Sequence, residues 1–155
     1  MPRTLSDLLV VDLLHRASQG AENAFECRVG LDLNARQYAV LRVIAKSEGL
    51  SQTAIVEATG IDRSTVAEMV RRLTERGWVQ RRRARDARAY AVRLTRAGKE
   101  TLASAGPASR ETEASIVASV RSLGRDQLRD ALIELIKAAE TAERPTSRSG
   151  AKRLA

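Results

Sequence analysis

The chain has 155 residues, 43% of them hydrophobic, so it can bury one compact core and is too short for a multidomain enzyme. One cysteine and one histidine exclude an internal disulfide framework and a cysteine-cluster metal site, and we expect no metal and no cofactor. The net charge of +8 is concentrated, because residues 61–95 hold ten Arg against four acidic residues, and such a patch indicates an anionic partner.

The first predicted element is one long helix over Leu5–Val29. Thr4, with Asp7 three residues later, is a variant of the capping box that begins a helix. Residues 8–14, LLVVDLL, are apolar around most of the helix rather than along one stripe, which is typical of a helix buried on two sides.

Three shorter helices are predicted next. Asn34–Glu48 begins with a capping box and is stopped by the glycine that follows it. Ser51–Gly60 and Asp62–Gly77 each begin with a side-chain cap and end at a glycine. The sharp turn at Gly60 joins these two into a helix-turn-helix.

An arginine-rich hairpin follows. Trp78–Val79 and Tyr90–Leu94 have strand character, and the second segment alternates with period two. Residues 81–88, RRRARDAR, are too charged for a core and are predicted to form a projecting loop. The order helix, turn, helix and hairpin is that of a winged helix-turn-helix.

Two further helices and a tail are predicted beyond the hairpin. Thr95–Leu102 starts a helix, and Gly106-Pro107 indicates a kink or short break before the apolar residues at 116–120. The last helix covers about residues 124–142 and carries an unbroken apolar stripe. The basic tail is expected to be disordered from residue 145 onward.

Composition also restricts the partner. No apolar run approaches the roughly 20 residues that cross a bilayer, and Met1–Asp7 lacks a signal-peptide layout, so we expect a cytoplasmic protein without a membrane partner. One Phe, one Trp and two Tyr offer few platforms for base stacking. Double-stranded DNA is therefore the expected partner.

The outward face of the helix in Asp62–Gly77 carries groups that can read base edges. Arg can bind guanine bidentately, Glu can accept from cytosine, and Ala or Thr can contact a thymine methyl. An ordinary solvated face has a similar composition, but the Gly60 turn and the arginine hairpin favour DNA contact. The residues predicted to contact DNA from this helix are Arg63, Ser64, Thr65, Ala67, Glu68, Arg71 and Arg72.

The five arginines between positions 81 and 88 would repel one another unless an anion lay against them. An Arg at a hairpin tip fits a narrow minor groove, and a plain charged surface turn is the alternative. Asp86 is interpreted as orienting Arg88, because a free carboxylate would oppose phosphate. The predicted wing contacts are Arg81, Arg82, Arg83, Arg85, Asp86 and Arg88, and the predicted phosphate contacts at the start of the third helix are Ser51, Gln52 and Thr53.

The N-terminal helix carries candidates for ligand binding and for redox sensing. His15 and Arg16 lie within its apolar run and could line a cavity, although a satisfied interface histidine fits equally well. Cys27 could be a redox sensor or a packed small hydrophobe. No nucleophile elbow, phosphate loop or paired-acid motif occurs, so no enzyme is expected. The predicted effector pocket comprises His15, Arg16, Gln19, Tyr38 and Arg42.

On these residues the chain resembles the MarR family of bacterial transcriptional regulators. The resemblance covers about residues 5–142 and lies in Leu33–Leu41, Gly60–Val66, Val70–Leu73, Glu75–Val79, Asp86–Arg88 and Val92–Thr95. It implies a mainly α fold with a small β-hairpin wing, in which a winged helix-turn-helix domain joins a helical dimerisation region in a triangular homodimer. The resemblance also implies a fourth helix in the major groove, a wing tip in the minor groove, and small, often phenolic or anionic, effectors.

The domain organisation follows from this resemblance. Residues 1–30 are predicted to form an N-terminal dimerisation helix, 31–95 the DNA-binding domain, 96–143 the C-terminal dimerisation helices, and 144–155 a basic tail. The apolar surfaces of the first and last helices favour a dimer independently, because exposure would leave an adhesive patch. Thiol-based members carry their reactive Cys near the start of the first helix, where this chain has valines.

The sequence thus predicts a dimeric, ligand-responsive regulator, most simply a repressor released from a pseudo-palindromic operator by a small effector such as an aromatic acid or its coenzyme A thioester. One alternative is a thiol-based regulator that uses Cys27. A second alternative is a non-specific architectural DNA binder, which would discriminate poorly between an operator and random duplex at moderate salt.

Overall fold

The computed structural model describes residues 5–47, 49–83 and 90–143. In that part of the chain, a short 3-10 turn over Leu5–Asp7 precedes six α-helices and one antiparallel hairpin. The helices are α1 (Val10–Val29), α2 (Ala35–Lys46), α3 (Gln52–Thr59), α4 (Arg63–Glu75), α5 (Arg96–Ser119) and α6 (Arg125–Glu143), and the strands are β1 (Val79–Arg83) and β2 (Tyr90–Leu94). The predicted mainly α fold with a small hairpin is confirmed. The chain divides into two compact units, Met1–Glu113 and Ala114–Ala155.

The first helix begins later than the sequence indicated, so the predicted start at Leu5 is wrong. Leu5–Asp7 forms the separate 3-10 turn, and α1 starts after Leu9, whose backbone is extended. The Leu9 N–H donates to Asp12 Oδ2 at 3.3 Å, so the acceptor at this helix start is Asp12. The predicted cap at Thr4 lies outside the described residues.

The burial of α1 also differs from the prediction. Leu9, Val10 and Val11 are 73%, 66% and 74% exposed, whereas Phe25 and Val29 near the other end of the helix enter the core. Residues 8–14 are therefore not buried on two sides within one chain, because the core of the first unit reaches only the C-terminal part of this helix.

The predicted helix starts around the turn are confirmed. Asn34 and Gln37 form a reciprocal capping box, with the Gln37 N–H donating to Asn34 Oδ1 at 2.8 Å and the Asn34 N–H donating to Gln37 Oε1 at 3.3 Å. Ser51 Oγ accepts from the Ala54 N–H at 3.1 Å, and Gly60 ends α3 with φ +67°.

The core of the first unit forms where α2, α3, α4 and the hairpin meet. Leu41, Ile55, Val66, Val70 and Leu73 are 0% exposed. Three of these lie on α4 at i, i+4 and i+7, so burial of this stripe fixes the opposite face of α4 toward solvent.

The wing is a two-stranded hairpin in which Val79 pairs with Leu94, Arg81 with Val92 and Arg83 with Tyr90. Arg81–Arg83 thus belong to β1, and the prediction that they lie in the loop is wrong. The strand extends because cross-strand pairing with β2 satisfies its backbone. Arg85, Asp86 and Arg88 lie outside the described residues.

The base of the wing is joined closely to α5. Thr95 Oγ1 donates to Gly77 O at 2.6 Å and accepts from the Gly98 N–H at 3.0 Å, which confirms Thr95 as a helix cap. The Thr95 N–H donates to Trp78 O at 3.0 Å. A Cβ on Gly98 would lie 2.0 Å from Trp78 O, so only glycine fits this approach.

Of the kink or short break predicted at Gly106-Pro107, the break is wrong, because α5 runs without interruption from Arg96 to Ser119. Ala105 and Ala108 on either side of the proline are buried in the core. Packing on both sides of Pro107 keeps the helix continuous, although proline has no N–H to donate to a helical hydrogen bond.

The second unit contains α6, whose backbone begins with the Leu128 N–H donating to Gly124 O at 3.0 Å. Its apolar residues Leu132, Leu135 and Ile136 are 44%, 46% and 57% exposed. None of the helices within the described residues has a hydrophobic stretch of the length needed to span a bilayer.

Candidate nucleic-acid interface

The solvent face of α4 is the face that the sequence assigned to base reading. Arg63, Ser64, Arg71 and Arg72 are exposed, and Thr65, Ala67 and Glu68 are partly buried. Asp62 caps this helix by accepting from the Thr65 N–H at 2.9 Å, and it also accepts from Ser64 Oγ at 2.5 Å. The cap therefore fixes both the start of α4 and the hydroxyl of Ser64.

Glu68 organises the arginines of this face. Arg71 binds Glu68 bidentately, with Nε donating to Oε2 at 2.8 Å and Nη2 to Oε1 at 2.6 Å. Arg72 Nε donates to Glu68 Oε1 at 2.7 Å, and Arg71 also pairs with Glu75. Glu68 and Arg71, which the sequence interpreted as separate base readers, are partners in this structure.

Glu75 was missed as a member of this group. The spacings i, i+3 and i+4 between Glu68, Arg71, Arg72 and Glu75 are those at which helical side chains meet, so the signal was in the sequence. We call these four residues the α4 charge cluster.

Hydrogen bonds shift the pKa values of charged side chains on this face and at its cap. Donation from Arg71, and then from Arg72, lowers the pKa of Glu68 from 4.5 to about 2, and the same pairing raises the pKa of Arg71. The pKa of Asp62 is lowered, chiefly by the Ser64 hydroxyl and then by Thr65. Hence the carboxylates of Glu68 and Asp62 remain charged well below neutral pH.

We expect Glu68→Gln to reduce the acid sensitivity of the fold. A carboxylate with a lowered folded-state pKa stabilises the protein above its unfolded pKa, and this stability is lost as the pH falls through the folded value. For Glu68 the window lies between pH 4.5 and about 2. Melting temperatures measured by circular dichroism across this window should fall less steeply in Glu68→Gln than in the wild type. The matched control is Glu57→Gln on α3, and equal slopes for the wild type and Glu68→Gln would contradict the prediction.

The predicted phosphate contacts at the start of α3 lie at a capped helix end. Ser51 Oγ is engaged in the cap, Gln52 is partly buried and Thr53 is exposed. The N-terminus of a helix presents backbone N–H groups to anions, so this end suits a phosphate.

The described part of the wing places Arg81 and Arg82 on opposite faces of β1, both exposed. Arg83 is the last residue of β1 before the undescribed segment. The contacts predicted for Arg85, Asp86 and Arg88 fall on that segment, so their geometry is outside the described residues.

Of the five predicted effector residues, the structure brings Tyr38 and Arg42 together. Tyr38 packs on Phe25, with ring centroids 4.9 Å apart, and the Arg42 guanidinium lies 5.9 Å from the Tyr38 centroid. His15, Arg16 and Gln19 are exposed on α1, as is Cys27. The interpretation of Cys27 as a packed small hydrophobe therefore does not hold within one chain.

A contact that sequence reasoning missed links α4 to the segment before α2. Arg76, the residue after α4, donates to both the backbone and the side chain of Asp32, and its guanidinium lies 5.0 Å from the centroid of the Trp78 ring. Arg76 thus connects the end of α4 to the loop after α1 and to the start of the wing. No local sequence pattern signals this contact, because 44 residues separate its two partners.

Comparison with known proteins identifies the fold. A family model described as MarR family matches residues 31–89. The transcriptional regulator HosA of Escherichia coli is 44% identical over 77 residues, which is 49% of this chain and 57% of HosA. The match thus spans a little over half the length of that relative.

Solved structures extend the likeness beyond that segment. The transcriptional repressor CouR, bound to a 23-mer DNA duplex, is 30% identical, with a TM-score of 0.68, and the match covers 85% of this chain and 92% of CouR. BpsR of Bordetella bronchiseptica is 26% identical, with a TM-score of 0.71, and the match covers 91% of this chain and 99% of BpsR. Its structure was described together with the regulation of its DNA binding by 6-hydroxynicotinic acid.

Proposed function

This chain belongs to the MarR family, and from that premise we propose that it is a transcriptional regulator that binds duplex DNA as a homodimer. The observation that carries the proposal is α4. Burial of Val66, Val70 and Leu73 turns a helix face bearing Arg63, Arg71 and Arg72 to solvent, next to an arginine-bearing hairpin. CouR was solved bound to a DNA duplex, and we propose that this chain binds DNA in the same way.

The site is a pseudo-palindrome in this proposal. A twofold protein places two recognition helices in major grooves about one helical turn, roughly 34 Å, apart. The apolar surfaces exposed on α1 and on α6 are the kind that a partner subunit covers. In the free protein the α4 charge cluster holds Arg71 and Arg72, and on a matching sequence they exchange carboxylate partners for bases and phosphates.

The test is selection from a random duplex pool. The chain should enrich one pseudo-palindrome and bind it far more tightly than random duplex at moderate salt, whereas an architectural binder would enrich no sequence. Failure to enrich any sequence would overturn the proposal of a specific regulator.

Arg71→Gln should change sequence preference rather than general affinity. If Arg71 contacts a base, its loss should reduce discrimination at one operator position by roughly 10- to 100-fold. Binding would be measured with the selected operator and a set of single-base variants. The control is Arg129→Gln on α6, which removes one exposed arginine from the other unit. Uniform weakening across all sequences would instead assign Arg71 to the phosphate backbone.

We further propose that the regulator is a repressor released from its operator by a small aromatic acid or its coenzyme A thioester. BpsR is regulated by 6-hydroxynicotinic acid, and CouR is a repressor, which supports this class of effector and this direction of control. Binding of the effector would change the distance between the two recognition helices, so that one of them would no longer align with its half-site on the operator. A tight effector that left operator affinity unchanged would contradict this mechanism. Loss of the response in Cys27→Ser would indicate thiol sensing instead.

A further inference from the structure

The two parts of the chain that are proposed to contact DNA differ in charge. Residues 62–76, which comprise the cap, α4 and Arg76, hold four arginines and three acidic residues. Residues 78–95, which comprise the hairpin, hold six arginines and one acidic residue. Sequence-independent attraction to DNA grows with the number of cations available to neutralise phosphates. The hairpin therefore supplies most of that attraction, whereas the acidic residues around α4 cancel most of the charge there.

Glu68 is at the centre of this compensation. Its carboxylate accepts three hydrogen bonds, from Arg71 Nε at 2.8 Å, from Arg71 Nη2 at 2.6 Å and from Arg72 Nε at 2.7 Å. Glu75 accepts from Nη1, the remaining nitrogen of the Arg71 guanidinium. In the free chain, every nitrogen of the Arg71 guanidinium thus donates to a carboxylate.

The bonds from Arg71 to Glu68 use donors that DNA would also need. A guanidinium binds a carboxylate, a phosphate or the O6/N7 edge of guanine through two parallel N–H groups. Arg71 cannot offer Nε and Nη2 to DNA in this way while both donate to Glu68. The Arg71 and Glu68 side chains are 52% and 44% exposed, and ion pairs at such positions are individually weak. A partner that satisfies both charges can therefore open the pair.

Phosphates and base edges differ in what they offer to Glu68. A phosphate that takes Arg71 or Arg72 leaves the carboxylate without its donors and brings a second anion toward it, and like charges repel. A major-groove site with a guanine and a cytosine satisfies both partners, because guanine accepts from arginine and the cytosine N4 amino group donates to a carboxylate. Contact with such a site satisfies Glu68 and its arginine together, whereas contact with phosphate satisfies the arginine alone.

We propose that Glu68 is a specificity-determining residue, whose carboxylate withholds Arg71 and Arg72 from phosphates and releases them at a base edge that includes a cytosine amino group. Discrimination between two partners can come from a penalty on the wrong one, and Glu68 acts in this way on sequences that lack the matching bases. An ion pair that only stabilised the helix would leave the ratio of operator to random-duplex affinity unchanged. This inference rests on the proposed function of the chain as a DNA-binding regulator.

The test compares Glu68→Gln with the wild type on the selected operator and on random duplex. Glutamine keeps the length of the side chain and removes its charge. We expect binding to random duplex to tighten about tenfold near 0.1 M salt, with a salt dependence that is steeper by about one phosphate contact. Operator binding should not tighten, because a glutamine carbonyl replaces the charged acceptor of the cytosine amino group. Fluorescence anisotropy with the full chain at several salt concentrations measures both affinities, and circular dichroism checks the fold of each variant.

The matched control is Glu57→Gln, which removes one exposed carboxylate from α3 of the same helix-turn-helix. It should change binding to both duplexes by the same factor, so the affinity ratio should stay close to that of the wild type. If Glu68→Gln tightened binding to both duplexes equally, the effect would be one of general charge and the proposal would be wrong. Unchanged binding of Glu68→Gln to random duplex would also overturn it, because the arginines would then not be withheld.

A double-mutant cycle with Arg71→Gln tests whether Glu68 acts through its arginine partner. We expect Glu68→Gln to tighten binding to random duplex less when Arg71 has already been replaced, since one of the two released arginines is then missing. Equal tightening in both backgrounds would assign the effect to direct repulsion between the Glu68 carboxylate and phosphate. The withholding of Arg71 would then be refuted.

Failure of this inference can be distinguished from failure of the proposed function. If selection with the wild type enriched no sequence, the specific regulator would be refuted, while the random-duplex measurements would still decide whether Glu68 withholds the arginines. If selection succeeded and Glu68→Gln enriched the same sequence with the same preference at every position, Glu68 would read no base. In that case the present inference alone would be wrong.

Discussion

Gly98→Ala is expected to destabilise the protein by about 3 kcal/mol, because a methyl group there has no space and the backbone must move. The new Cβ would lie 2.0 Å from Trp78 O, and this atom already accepts from the Thr95 N–H. To relieve the clash, the first turn of α5 must separate from the wing, which would also loosen the Thr95 cap. Chemical denaturation followed by circular dichroism measures this loss.

The control for this variant lies in the same helix. Apart from its chain neighbours, a Cβ on Gly106 would meet the end of the flexible Arg110 side chain, at 3.4 Å. Gly106→Ala should therefore change the free energy of unfolding much less than Gly98→Ala does, because the helix preference of alanine is opposed by the contact of its Cβ with the Pro107 ring. If Gly98→Ala and Gly106→Ala unfolded at the same denaturant concentration, the close approach of α5 to Trp78 would be refuted.

Ile136→Asp is expected to convert the proposed dimer into a monomer and to weaken operator binding by about 100-fold or more, since each half-site would then bind alone. Ile136 is 57% exposed within the chain, in the apolar stripe of α6. A carboxylate buried there in a symmetric interface would have to lose its hydration twice, once in each subunit. Sedimentation velocity and operator titration measure the two effects.

Thr141→Asp is the matched control for Ile136→Asp. It adds the same charge to α6 at an exposed position on the opposite side of the helix from the apolar stripe. It should leave both the sedimentation coefficient and the operator affinity close to those of the wild type. A dimeric Ile136→Asp would place the subunit interface elsewhere.

The parts of the fold that depend on neighbouring residues could be predicted from the sequence. The caps at Asn34, Ser51, Asp62 and Thr95 each involve a backbone donor three residues away, and Gly60 adopts the positive φ that its position requires. The period of apolar residues in α4 also identified its buried face correctly. Each of these features involves residues that are close together in the sequence, so the local pattern contains every partner.

The parts that depend on distant residues were predicted poorly. Pro107 suggested a break because its local cost is clear, but packing of Ala105 and Ala108 against the core outweighs that cost. Residues 8–14 suggested two-sided burial, yet their hydrophobic pattern does not say whether the covering surface belongs to the same chain. Similarly, Ile44 of α2 and Lys99 of α5 line one cavity at the base of the wing, and their separation in sequence conceals this.

In the candidate site, one ion pair joins residues that are close in sequence and another joins residues that are far apart. The spacing of Glu68 and Arg71 was visible in the sequence, but each residue was interpreted by its capacity to read a base, and the pairing between them was overlooked. Arg76, by contrast, reaches Asp32 only because the fold brings the end of α4 to the loop after α1. Side chains three or four positions apart on a helix therefore pair with one another in the free chain, whatever external partner each could bind.

The hairpin also bears on the solubility of the protein. Strand β2 is paired on both sides, by β1 and by Leu50, whose carbonyl accepts from the Val92 N–H at 2.8 Å. In the described part of the chain β1 has a neighbour on one side only, and such an open strand edge can template aggregation. Consecutive arginines, of which Arg81 and Arg82 are exposed, make this edge repel a second copy of itself. Removing them together to test the proposed DNA contacts would also remove this protection, so such variants should be made one arginine at a time.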